Sequence, residues 1–93
     1  MFEYEEDDEL KAMRRGHIME VVDNQLKSGD PPETRETYDR LLASGIDVDE
    51  TRRLISLVIL DEIYCVVKNN ENFNEKRFVK KLEGLPETPW LDD

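Results

Sequence analysis

The chain has 93 residues, enough for one small domain, 1–93, and too few for two. Its 13 lysines and arginines against 23 aspartates and glutamates leave a formal net charge of −10, which disfavours nucleic-acid phosphates and anionic membrane surfaces as partners. The one cysteine, Cys65, excludes an internal disulfide and any zinc site built from two or more thiolates.

The N-terminal segment, residues 1–9, is strongly acidic. Its acidic residues are Glu3, Glu5, Glu6, Asp7, Asp8 and Glu9. Such a run is typical of a loose, solvated terminus, and docking to a basic partner is the alternative. No basic region followed by an apolar stretch begins the sequence, and the longest apolar block, 54–67, is too short to span a bilayer. The sequence therefore predicts a cytoplasmic protein without a membrane segment.

The first helix is predicted over about residues 7–27. Apolar side chains recur there at the spacing of one helical face, at Leu10, Met13, Ile18, Val21, Val22 and Leu26. Gly16 costs about 1 kcal/mol in a helix interior, so a kink or the start of the helix is expected at that position. Ser28 and Gly29 end the helix.

A capped start predicts the second helix. Asp30 can cap it, Pro31 fits the first helical position, and Glu33 completes a capping-box spacing. The helix carries Tyr38, Leu41 and Leu42 on one side and ends at Gly45, the residue type that best adopts the left-handed conformation of a helix end.

The third helix is the predicted centre of the domain. Asp47 and Glu50 repeat the capping spacing, and residues 54–67 are apolar on nearly every side of a helix. The many β-branched residues would also suit a strand, but the length and the capped start favour a helix. A helix of this kind must be surrounded by the others.

A short fourth helix follows residues 69–72. Asn72 or Asn74 can cap it, and Gly84 ends it. In the proline-containing tail, 86–93, Trp90 and Leu91 either fold back on the helices or form an exposed anchor for a partner. The predicted fold is therefore all-α: a compact four-helix array of short antiparallel helices around an apolar third helix.

His17 is the only histidine and defines the one candidate metal site. Glu20 lies one helical turn away and could share a metal with it, with Asp49 and Glu50 as further carboxylate ligands; the alternative is a structural or surface histidine. Asp61 and Glu62 interrupt the apolar third helix. Either one of them points into the bundle, where Arg14 or Arg40 could pair with it, or both mark the solvent stripe.

Five established site types are excluded or disfavoured. Asn70, Asn72 and Asn74 have calcium-loop spacing, but Glu75 and Lys81 replace the glycine and the bidentate glutamate that an EF-hand needs. Glycine-rich phosphate loops, GxSxG elbows and HExxH motifs do not occur. The second and third helices have helix-turn-helix spacing, yet Asp49 and Glu50 would face the DNA.

A spaced pattern of residues supports a family resemblance: His17, Gln25, Leu26, Gly29, Asp30, Pro31, Pro32, Glu33, Arg40, Leu41, Gly45 and Glu50. From residue 17 to 85 the sequence resembles an uncharacterised bacterial all-helical family of unknown function. Where that family's pattern has paired histidines, this chain has Asp49 and Arg53. A metal held by the relatives would therefore be lost here, with Arg53 paired to Glu50 or Asp49 instead.

The leading functional prediction is a non-enzymatic helical accessory or protein-interaction domain without a cofactor. Its partner is another protein or a second copy, since four short helices cannot cover all their apolar faces. The first alternative is a metal-binding, hydrolase-like protein that uses His17 with Glu20, Asp49 or Glu50. The second alternative is helix-turn-helix DNA binding.

Overall fold

The computed structural model describes residues 18–92 and the side chains of residues 18–91. This part of the chain forms four α-helices, α1 (Ile18–Ser28), α2 (Pro32–Ala43), α3 (Val48–Asn69) and α4 (Glu75–Gly84), and a 3₁₀ turn at Pro89–Asp92, with no strand. The predicted all-α four-helix array is confirmed. The predictions for residues 1–17, including the acidic segment 1–9 and the break at Gly16, lie outside the described residues.

The core lies around the N-terminal two thirds of α3. The helix packs against α1, α2 and α4. The buried apolar residues come from all four helices and the residue after α4: Val21, Val22, Leu41, Leu54, Ile55, Val58, Ile59, Phe78, Leu82 and Leu85. The C-terminal third differs, because Tyr64 and Val67 are 59 % and 75 % exposed. At 22 residues, α3 is about twice as long as its neighbours, and these cannot cover its whole length.

The start of α2 differs from the prediction by one residue. Pro31 is extended and precedes the helix, no side chain caps it, and Pro32 takes the first helical position. The cause is local, because a residue that precedes proline is disfavoured in the helical region, and Pro31 precedes Pro32. Asp30 is therefore exposed and too far upstream to cap the helix.

The predicted end of α2 and the predicted starts of α3 and α4 are confirmed. Gly45 has φ +101°, and the amide N–H groups of Gly45 and Ile46 donate to the carbonyls of Leu42 and Leu41 at 3.0 and 3.2 Å, a Schellman end. The Asp47 carboxylate accepts a hydrogen bond from the Glu50 amide at 2.7 Å. Of the two asparagines considered for α4, Asn74 is the cap, accepting from the Arg77 amide at 3.0 Å.

Arg40 joins α2 to the C-terminal end of α4. Its guanidinium donates to the carbonyls of Leu85 at 2.9 Å and Leu82 at 3.0 Å, and the Leu82 carbonyl also accepts from the Leu85 amide at 3.2 Å. A cation is also stabilised there by the helix dipole. Arg40 is thus engaged with the backbone and is not the partner of Asp61 or Glu62.

We expect Arg40→Met to lower the free energy of unfolding by about 1–2 kcal/mol, because two charged hydrogen bonds to helix-end carbonyls are lost. Urea denaturation measures the change. Arg35→Met is the matched control on the same helix: Arg35 pairs with Asp39 in an exposed ion pair and should contribute less than about 0.5 kcal/mol. Equal losses in the two variants would show that the hydrogen bonds of Arg40 to the carbonyls stabilise the fold no more than an exposed ion pair does.

Trp90 and Leu91 have different environments in the tail. Trp90 is half-buried against the core, and the Lys81 ammonium lies 5.3 Å from the centre of its ring. Leu91 is 46 % exposed. The fold-back therefore holds Trp90 but leaves Leu91 at the surface, and a partner-binding role for either residue stays a prediction.

Candidate functional site

The candidate metal ligands are only partly within the described residues. His17 lies outside them, Glu20 is exposed on α1, and Asp49 and Glu50 occupy the first turn of α3. Between residues 18 and 92, no group of three or more histidine, cysteine or acidic side chains could hold a metal ion. The metal site around His17 stays a prediction.

Glu50 is occupied by an ion pair. Arg53 donates from Nε and Nη2 to its two carboxylate oxygens at 2.8 and 2.7 Å. These hydrogen bonds hold the pKa of Glu50 below its ordinary value. Of the two acids considered as partners for Arg53, it is Glu50 that pairs, whereas Asp49 lies 4.0 Å from Arg52.

Glu62 is a buried carboxylate in the middle of the domain. Its side chain is 3 % exposed and accepts hydrogen bonds from Arg77 Nε at 2.9 Å and Lys81 Nζ at 2.7 Å. Asp61 also pairs with Lys81, and Glu71 pairs with Arg77 at 2.7 Å. The expectation that Asp61 or Glu62 enters the bundle is met by Glu62. Its partners come from α4, not from Arg40; Arg14 lies outside the described residues.

Opposing effects set the charge state of Glu62 and Lys81. Burial raises the pKa of Glu62, but the hydrogen bonds and charges of Arg77 and Lys81 outweigh it and leave the pKa below 4.5. Burial lowers the pKa of Lys81, and the bonds from Asp61 and Glu62 more than compensate, so that pKa is raised. Both groups are therefore ionised at neutral pH.

An open apolar groove of about 600 Å³ lies beside this ion-pair cluster. It runs between α1 and the C-terminal half of α3, and the residues before α2 and α4 complete it. Its apolar lining consists of the buried Val21, Ile59 and Phe78, the half-buried Ile63 and Val66, and the exposed Val67 and Phe73. Glu62 also lines the groove, already neutralised by its two cations.

The outer wall of the groove exposes large apolar side chains. Val67 is 75 % exposed and Phe73 is 57 % exposed. The Phe73 ring packs against the ring of Phe78, with centroids 5.6 Å apart. Phe73 is therefore held at the edge of the groove by the residue that α4 buries, and it presents its remaining surface outward.

One end of the groove is fixed by a buried hydrogen bond between helices. The Thr34 hydroxyl donates to Oε1 of Gln25 at 2.9 Å, and both residues are at least nine-tenths buried. The bond joins α1 to α2, and Gln25 lines the groove together with Asp30 and Pro31. The shape of the groove at this end is therefore preorganised.

Two carboxylates at the edge of the groove lack cationic partners within residues 18–92. Asp30 and Glu75 line the groove, are exposed, and have no lysine or arginine within ion-pair distance among the described residues. No lysine or arginine of residues 18–92 belongs to the lining itself. The groove is consequently apolar on its walls and negative at its edge.

Sequence reasoning missed both exposed wall residues. Val67 was counted with the surrounded face of the third helix, and Phe73 belonged to no pattern. One signal was available: the third helix is predicted to be longer than the second and the fourth, so its C-terminal end must project beyond these two and leave apolar surface uncovered.

These features define a small all-α domain with an open apolar groove and a buried ion-pair cluster beside it. Comparison with known protein families, with curated proteins and with solved structures finds no match for the chain. Within residues 18–92, no helix combines the length and apolar character that a membrane span requires.

Proposed function

We propose that this chain is a non-enzymatic protein-interaction domain that binds an apolar segment of a different protein in the groove between α1 and α3. The observation that carries the proposal is the exposure of Val67 and Phe73 on the wall of a preformed groove. Apolar surface in such a position contributes about 25 cal/mol per Å² when a partner covers it.

The shape of the groove favours a protein segment over a small molecule. Small-molecule sites enclose most of their ligand. Here the wall residue Val67 is three-quarters exposed, so a small ligand would stay largely in water. A longer segment can lie along the groove and cover its outer wall, as in complexes where a helix binds a surface groove.

Charge favours a different protein over a second copy. Two copies would each bring a net charge of −10, and two of these negative charges, Asp30 and Glu75, lie at the groove edge without a cation among the described residues. Like charges at an interface cost free energy and slow association. A partner with a less negative surface avoids this cost.

The charge states of Glu50 and Glu62 support a role other than acid–base catalysis for these two residues. A general acid or base works best with a pKa near the working pH. Glu50 and Glu62 both have a lowered pKa and are held as carboxylates by cations. These two residues therefore act as structural ion-pair partners.

The proposal is tested by selecting random peptides of about 16 residues, roughly 24 Å long as a helix, on the full chain. Binding peptides should shift the NMR amide signals of Ile63, Val67 and Phe73. Val67→Ser should lower the affinity for these peptides about fivefold, because burial of the apolar surface of one valine contributes about 1 kcal/mol to binding in a groove.

Val48→Ser is the matched control, because Val48 is also exposed (47 %) but lies at the other end of α3, outside the groove. It should leave the affinity unchanged. Peptides that shift no groove signal, or that bind both variants equally well, would refute the proposed function.

A further inference from the structure

Building on the proposed function, we infer that the segment bound in the groove is a basic amphipathic helix. Its apolar face covers Ile63, Val67 and Phe73, and its lysines or arginines pair with Asp30 and Glu75 at the groove edge. This inference names the chemistry of the partner, and it rests on the groove being a protein-binding site.

The unpaired edge carboxylates indicate the charge of the partner. The five arginines of residues 18–92 are engaged elsewhere: Arg35, Arg52, Arg53 and Arg77 bind other carboxylates, and Arg40 binds carbonyls. Asp30 and Glu75 are left without a cation among the described residues, while Glu62 in the same groove has two. A lysine or arginine on the partner would pair with these two carboxylates at the edge of the groove.

The surrounding secondary structure indicates that the bound segment is helical. Helices form the long sides of the groove, and their backbone groups are already hydrogen-bonded within each helix. An extended peptide would find no strand edge here and would leave its own backbone groups unpaired over an apolar surface. A helix satisfies its backbone internally and can bury one apolar face.

The spacing along α3 suits a helix as well. Ile59, Ile63 and Val66 of the lining follow one another at intervals of four and three residues, so they form one stripe about 10 Å long on the helix surface. A second helix can pack its own i, i+3, i+4, i+7 residues along such a stripe.

The chain's own acidic segment, like a second copy of the chain, is a poor occupant of the groove because its negative charge is repelled there. Residues 3–9 carry acidic side chains that would be repelled by Asp30 and Glu75. A basic helix experiences the opposite effect, since the net charge of −10 attracts it over a distance of about one Debye length.

The test compares the charges of the peptides selected in the groove. Groove-binding peptides should be rich in lysine and arginine, and replacement of those residues by glutamate should weaken binding at least tenfold at low salt. The double variant Asp30→Asn, Glu75→Gln should weaken the basic peptides about fivefold at low salt, as expected for two exposed ion pairs. This difference should shrink as the salt concentration rises.

The double variant Glu36→Gln, Glu87→Gln is the matched control, because it makes the same change in net charge at exposed residues outside the groove lining. Its effect should stay below twofold. If it weakens the basic peptides as much as the edge variant, or if groove-binding peptides carry no excess of basic residues, the inference is overturned while the groove remains a binding site. If no peptide binds in the groove, the proposed function itself falls.

Discussion

Leu54→Ala is expected to lower the free energy of unfolding by about 3 kcal/mol, the largest effect of any substitution considered for this protein. Leu54 is 5 % exposed and belongs to the part of α3 that all the other helices surround. Truncation leaves a cavity that rigid neighbouring helices fill only partly. A domain of this size has a total stability of roughly 5–10 kcal/mol, so the variant should be visibly destabilised in urea denaturation followed by circular dichroism.

Leu60→Ala provides the comparison on the same helix. Leu60 is 44 % exposed, so its truncation removes little buried surface and replaces leucine by the best helix former. We expect a change of less than about 1 kcal/mol. Comparable losses in the two variants would mean that α3 is covered evenly along its length, which would contradict both the packing of the core and the open groove.

Glu62→Gln is expected to cost about 2–3 kcal/mol of unfolding free energy. The substitution preserves the size of the side chain but removes the charge that Arg77 and Lys81 share, and it leaves both cations partly buried with only Glu71 and Asp61 to pair with them. Glu71→Gln is the control, because the Glu71 side chain is 36 % exposed and pairs with Arg77; it should cost less than about 1 kcal/mol. A harmless Glu62→Gln would show that the buried cluster is neutral for stability.

The stabilisation that Glu62 contributes to the fold is expected to decrease at acidic pH. The pKa of Glu62 is lowered below 4.5 in the folded chain, so the folded state binds its proton less tightly than the unfolded state. The stabilisation is fully present above about pH 4.5 and is lost as the pH falls through the lower, folded-state pKa. The difference in unfolding free energy between the natural chain and Glu62→Gln should therefore be constant near neutrality and shrink below about pH 4. A difference that persists unchanged at pH 2 would contradict the ion-pair explanation.

The sequence alone determined where α2 ends and where α3 and α4 begin. Asp47, Asn74 and Gly45 act through hydrogen bonds or backbone angles within four residues of their own position, so the local sequence is sufficient to predict them. The error at the start of α2 has an equally local cause: Pro31 precedes Pro32, and the helical conformation is disfavoured for a residue before proline. The apolar third helix was also predictable as the centre of the domain, because a helix without a polar face must be covered by others.

Only the tertiary structure decided which surfaces stay uncovered and which charges meet. Glu62 pairs with Arg77 and Lys81 because α4 packs beside α3, a contact between residues 15 and 19 positions apart that no local pattern encodes. The groove exists because α3 is about twice as long as its neighbours and Phe73 packs against Phe78 across the turn before α4. Local hydrogen bonding sets the length of each helix, but the relative placement of helices depends on the summed packing of all of them, and that sum exists only in the folded chain.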